Sequence, residues 1–264
     1  MKRLAKNRFV RQIMAQVCES DPHVAVHNLV AKYGGPSENL DQIAEKLGVR
    51  EITLEKMGFD GGVFEDASGL RIKLNIENPP RRRRFTLAHE LAHLIIASGR
   101  ASGARRSHAC TELERACDVV AAELLMPMDK MRCAGDGEIS VENLLSIARE
   151  QQSSLQATAL RLHELGIWNA SFGQWSWDGV ARELWFVGRR FWREKGLYLA
   201  AFERAVRHGT YKGSELIESL GRGVFPVFLD VRRLGAEKLY LLAILRGSVS
   251  HYRRPTSAHG ADTA

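Results

Sequence analysis

The 264-residue chain has no C-x-x-C pair; its four cysteines, Cys18, Cys110, Cys117 and Cys133, stand apart. Such cysteines are most simply reduced thiols in a cytosolic chain. Nothing approaches the ~20 consecutive apolar residues that a membrane span needs, and the longest late run, Leu239 to Leu245, is strand-sized. The N-terminus is basic through Arg8, but Arg11, Gln12 and Gln16 break up the next stretch, so no signal-peptide core is present. These absences together predict a cytoplasmic protein. Tryptophan is missing from the first 167 residues: all five lie at Trp168, Trp175, Trp177, Trp185 and Trp192. Clustered aromatics of this kind build a core, with a ligand-sensing pocket as the sharper alternative.

What the chain does have is an excess of base, with net charge +7 and a pI near 9.4, and an ordinary hydrophobic fraction of 45%. That charge permits nucleic-acid or acidic partners without demonstrating either. Part of it sits in the run Arg81, Arg82, Arg83 and Arg84, directly before the most informative stretch. The run reads as a solvated face or as a rim attracting an acidic substrate or DNA. A helix dipole disfavours cations at that end.

That stretch is Phe85 to Ile96, with H-E-x-x-H at its centre. At 3.6 residues per turn, His89 and His93 lie about 40° apart on one helical face, where two imidazoles can hold one metal ion. Glu90 between them can act as general base toward a metal-activated water. Leu87, Ala88, Leu91, Ala92, Leu94 and Ile95 surround the motif, so polar groups buried there need partners.

A catalytic zinc takes a third protein ligand and keeps one position open. Thr111 to Met126, stopped by Pro127, reads as a second helix. Ala121, Ala122 and Leu125 mark its packed side. Glu114 and Asp118, about 40° apart, form a polar pair beside it, whereas Glu112 lies about 160° from Glu114 and Glu123 about 180°. Glu114 is the expected ligand and Asp118 the expected partner of a histidine N–H. His108, Cys110 and Cys117 are the other possible ligands, with Cys117 reading first as a small buried core residue.

The blocks R-F-T-L-A-H-E-L-A-H-L-I and E-R-A-C-D-V-V-A-A-E-L-L-M-P resemble the ImmA/IrrE family of zinc metallopeptidases, over about residues 39 to 165. The resemblance implies that His89, His93 and Glu114 hold Zn2+ and that Glu90 is the general base. Ala92 stands where that family often has Gly. It also implies a zincin-like core, and a protein substrate that is a small helix-turn-helix transcriptional repressor cut at one site.

Elsewhere the patterns are coarser. Phe9, Ile13 and Val17 recur at helical spacing in an N-terminal segment, 1–38. A short helix from Leu40 is capped by Asn39 or Ser37 and ended by Gly48. Alternation between Val49 and Ile76 predicts a small sheet, and Leu70 to Ile76 reads equally as an edge to which an extended substrate adds or as an ordinary half-buried strand. This completes a metallopeptidase core, 39–137. In 138–165, two helices capped by Ser140 and by Ser153 or Ser154 form a helix-turn-helix-like hairpin. It offers Gln152, Ser153, Ser154 and Gln156 for DNA or substrate. Residues 166–264 read as a small α+β domain, expected to be a sensory or regulatory appendage: a strand near 182–187, a helix at 197–208, a hairpin over 225–245, and a disordered last ten residues. The fold class is therefore α+β.

Two functions compete. The first is a zinc-dependent endopeptidase acting in regulation. The second is a DNA-binding regulator with a structural or vestigial metal site, against which Glu90 argues, since a structural site needs ligands but no base. Tyr33, His108 and the nearby arginines are candidate oxyanion partners.

Overall fold

The computed structural model describes residues 4–34, 39–98, 111–137, 139–177, 181–187, 227–233 and 239–246. The forecasts of a helix at 197–208 and of disorder at the C-terminus lie outside these residues. Chain contacts divide the molecule into two units, Met1–Trp168 and Asn169–Ala264.

In the first unit, Asn7 caps helix α1 (Arg8–Val17) by accepting from the backbone N–H of Phe9 and Val10, and the helix buries Phe9, Val10 and Ile13. Next comes a helix that was not expected, α2 (Pro22–Ala31). Asp21 caps it, Pro22 starts it, and Ala25, Val26, Leu29 and Val30 are buried. Its apolar residues surround much of the axis, so no one-sided stripe marked it out. Helix α3 (Leu40–Lys46) opens on a capping box between Asn39 and Gln42. Gly48, at φ +79°, turns the chain into the sheet.

The sheet has three strands: β1 (Val49–Glu55), β2 (Gly61–Asp66) and β3 (Gly69–Asn75). Their order is β1-β3-β2, with β1 parallel and β2 antiparallel to β3. The candidate edge strand, Leu70 to Ile76, is thus the central strand, and the edges are β1 and β2. Alternation reports that one face of a strand is buried; it carries no information about which strands flank it. Ile52, Ile72 and Val63 stand in register across the sheet, and Ile72 and Leu74 are buried.

Helix α4 (Pro80–Ser98) lies against β2 and β3, buried through Leu87, Ala88, Leu91, Ala92, Ile95 and Ile96. The approach is close: a Cβ on Gly61 would come within 2.7 Å of both the Lys73 carbonyl oxygen and Thr86 Cγ2. Helix α5 (Thr111–Leu125) packs on α4 through small residues, with Ala116, Cys117, Val120 and Ala121 fully buried. Helix α6 (Met128–Gly135) was not expected. The hairpin helices α7 (Val141–Glu150) and α8 (Leu155–Glu164) are capped by Ser140 and Ser154. Trp168 is buried in this unit and donates its indole N–H to the Gly135 carbonyl at 2.8 Å.

The second unit contains a four-stranded antiparallel sheet, β4 (Ala170–Trp177), β5 (Ala181–Val187), β6 (Val227–Arg233) and β7 (Leu239–Arg246), in the order β5-β4-β7-β6. Trp185 donates to the Gln174 side-chain oxygen at 2.6 Å. The architecture is α+β. No helix among the described residues is long and apolar enough to cross a membrane.

Candidate metal centre

Residues 89 and 93 of α4 share one helical face by their four-residue spacing. Packing of α5 on α4 brings the first turn of α5, with Glu114, opposite them. Glu114 Oε2 is 3.1 Å from His89 Nε2, and its Oε1 is 3.6 Å from His93 Nε2. Ligand atoms of these three residues all lie within 4.8 Å of one another. For zinc–ligand distances of 2.0–2.1 Å in a tetrahedral arrangement, neighbouring ligand atoms are about 3.3 Å apart. The group therefore fits a metal ion of that kind, and its two-nitrogen, one-carboxylate donor set is one that zinc accepts.

Asp118 completes the arrangement one turn further along α5. Its Oδ1 is 3.1 Å from His89 Nδ1, the ring nitrogen directed away from Glu114. Burial by itself would lower the His89 pKa. The hydrogen bond and charge of Asp118, then Glu114 and the charge of Glu90, outweigh it and hold the pKa above its ordinary value. Glu90 is half-buried beside His89 in sequence and has an interaction of its own. Phe85, one turn before His89, tilts over it with ring centroids 6.2 Å apart.

The other sequence candidates fall elsewhere. Cys117 is fully buried on α5 and is no member of the ligand group. His108 and Cys110 lie outside the described residues. The Tyr33 hydroxyl is engaged with Ser98 Oγ at 2.5 Å, at the far end of α4. Of the four arginines, Arg82 binds Asp60, Arg83 donates to the Ile76 carbonyl and Arg84 to the Gln151 carbonyl at 2.8 Å; Arg81 is exposed. In the hairpin, Ser153 is buried and bonded to Thr158, so it is not available to DNA, whereas Gln152 and Gln156 are exposed.

Sequence reasoning missed a buried ion pair. Glu123 on α5 and Arg161 on α8 bond to each other, both almost fully buried. Glu123 also accepts from the Met128 N–H and faces His27 Nδ1 at 2.8 Å, while Arg161 donates to the Met126 carbonyl. The available signal was a lone acid inside the apolar run Ala121 to Met126 and a lone arginine inside Thr158 to Leu162.

Residues 44–163 match the family model Peptidase_M78, described as the IrrE N-terminal-like domain. This segment is an IrrE N-terminal-like domain. The match runs from within α3 to the end of α8, so the IrrE N-terminal-like domain includes the ligand group and the hairpin and leaves out α1, α2 and the second unit. No curated protein matches the chain in sequence. Among solved structures, a Mycobacterium tuberculosis transcriptional regulator is similar over 89% of this chain and 78% of that chain, at 13% identity and a TM-score of 0.48. The chain thus carries a peptidase-family domain with a His89, His93 and Glu114 group able to hold a metal ion.

Proposed function

We propose that this protein is a zinc-dependent endopeptidase that acts in regulation by cutting a small helix-turn-helix transcriptional repressor at one site. The observation that carries the reading is the Glu114 carboxylate set between the two imidazoles of an H-E-x-x-H helix, with Asp118 behind His89. His89, His93 and Glu114 would hold the metal. When bound, zinc supplies Lewis acidity toward a water and toward the scissile carbonyl. Asp118 accepts the His89 Nδ1 proton, which leaves Nε2 free as a ligand. Glu90 takes the proton of the attacking water on its carboxylate and returns it to the departing amine nitrogen.

Substrate binding is best supported at β2. It is a sheet edge, and it is the edge packed on α4, with Gly61 at Thr86, one turn before His89. An extended segment can add there by main-chain hydrogen bonds. Division of labour follows the two units: catalysis in the IrrE N-terminal-like domain of the first, and recognition or regulation in the second, Asn169–Ala264. The rival reading is a DNA-binding regulator. It draws less support, because Arg82, Arg83 and Arg84 have partners within the protein and Ser153 is buried.

The two readings part in one experiment. The zinc-loaded protein is incubated with the repressor encoded beside it and, separately, with that repressor's operator DNA. A discrete, chelator-sensitive cut that is absent with Glu90→Gln is the expected result. An intact repressor together with tight, specific operator binding would overturn the reading.

A further inference from the structure

The metal ligand on α5 sits where a helix is weakest. Glu114 belongs to the first turn, which starts at Thr111. First-turn N–H groups have no partners within the helix, so the turn is joined to the rest of α5 through its carbonyls alone, and helix ends open before their middles. Something outside α5 must hold this turn if Glu114 is to stay on His89 and His93.

Asn7 is placed to do so. Its side chain is buried at 6% exposure and both ends of the amide are used. Oδ1 accepts from the N–H groups of Phe9 at 2.9 Å and Val10 at 3.2 Å, capping α1. The amide orientation is thereby decided, because two backbone donors require an oxygen at that position. Nδ2 is left facing the other way, and it donates to the backbone carbonyl of Glu112 at 2.6 Å. The amide is anchored in turn by α1, whose Phe9, Val10 and Ile13 are all buried. Arg8 Nε adds an exposed ion pair to the Glu112 carboxylate at 3.4 Å, a weaker contact in solvent.

We propose that Asn7 is a positioning residue for the metal centre: by clamping the Glu112 carbonyl to α1, it holds the first turn of α5 and therefore the Glu114 carboxylate in ligand range. The inference rests on the reading of Glu114 as a ligand. Glu114 is two positions past Glu112, about 3 Å along the axis, so a shift of that carbonyl is carried to the carboxylate. Metal–ligand distances tolerate only about 0.2 Å. Asn7 lies outside residues 44–163, so the N-terminal helix contributes to a centre whose ligands all come from the IrrE N-terminal-like domain.

The test uses the full chain and two variants that keep the cap and lose the donor, Asn7→Ser and Asn7→Asp. Ser140→Ala, which removes the cap of α7, serves as the structural control. Zinc affinity is measured by competition with a chromophoric chelator, and amide hydrogen exchange is followed across residues 111–116. We expect zinc affinity to fall at least tenfold in both Asn7 variants, in the range typical of residues that support metal ligands, with faster exchange at the Arg115 and Ala116 N–H groups that bond back to the first turn of α5. Ser140→Ala should retain wild-type affinity even where its melting temperature falls as far. Unchanged affinity in a folded Asn7 variant overturns the inference, as does an equal loss in Ser140→Ala. Should neither Asn7 variant fold, the exchange measurement decides on the wild-type protein: Arg115 and Ala116 N–H groups, which bond back to the first-turn carbonyls, support the clamp if they exchange as slowly as the middle of α5 and overturn it if they exchange freely. Glu114→Ala separates this from the parent reading. If it binds zinc like the wild type, the ligand assignment fails; if it loses zinc while Asn7→Ser keeps it, only the clamp fails.

Discussion

Asp118 Oδ1 and His89 Nδ1 stand 3.1 Å apart on the side of the ring away from Glu114. A carboxylate there fixes the tautomer with the proton on Nδ1 and the lone pair on Nε2, the nitrogen that faces Glu114. Asp118→Asn should weaken zinc retention about 10–100-fold while the melting temperature hardly moves, because the Asp118 side chain is exposed. Chelator competition checks it, and an unchanged affinity would remove Asp118 from the site.

The two acids of α5 should separate cleanly. Glu114→Ala should lose most of the bound zinc, since it removes one of the three proposed ligands. Glu123→Ala should keep zinc but lose about 3–5 kcal/mol of stability, because Arg161 is then left buried without its counter-charge. Elemental analysis and denaturant midpoints give both answers, and equal metal in the two variants would refute the ligand assignment.

Glu90→Gln keeps the size of the side chain and removes the base. Zinc content and melting temperature should stay close to wild type, while cleavage should fall by about 10²-fold or more. Retained cleavage would mean that Glu90 is not the base.

His23 makes stability depend on pH. It is buried on α2, with Nδ1 lacking a hydrogen-bond partner among the described residues, and burial, followed by the charge of Arg161, lowers its pKa from 6.5. The unfolded chain then binds this proton at a higher pH than the folded one, so His23 favours unfolding increasingly as pH falls through and below 6.5. Urea midpoints measured from pH 8 to pH 5 should decline less steeply for His23→Leu than for the wild type. Parallel profiles would show that His23 does not titrate in this way.

Where the chain is cut should matter within three residues. A version ending after Trp168 should fold and bind zinc. One ending at Leu165 loses a buried indole and its bond to Gly135, a change on the scale of about 3–5 kcal/mol for a large aromatic. Thermal melts of both, with zinc content measured in parallel, test this; equal stability would place Trp168 outside the first core.

Local rules were enough for much of this molecule. The four-residue spacing of His89 and His93, the caps at Asn39 and Ser140, and the stop at Pro127 all depend on neighbours within one or two turns, so the sequence alone determined them. Helical period also put Glu114 and Asp118 on one side of α5 and Glu123 on the other. Tertiary structure decided what lies opposite each of them: His89 and His93 for Glu114, and Arg161, 38 positions away, for Glu123. It decided as well that β3 is central, that Asn7 reaches Glu112, and that Trp168 belongs to the first core. The physical reason is the same throughout. A helix or strand pattern reports which residues share a face, through contacts that close within a few residues. Which face meets which is settled by packing between segments far apart in the chain, where burial and the pairing of buried polar groups select one arrangement.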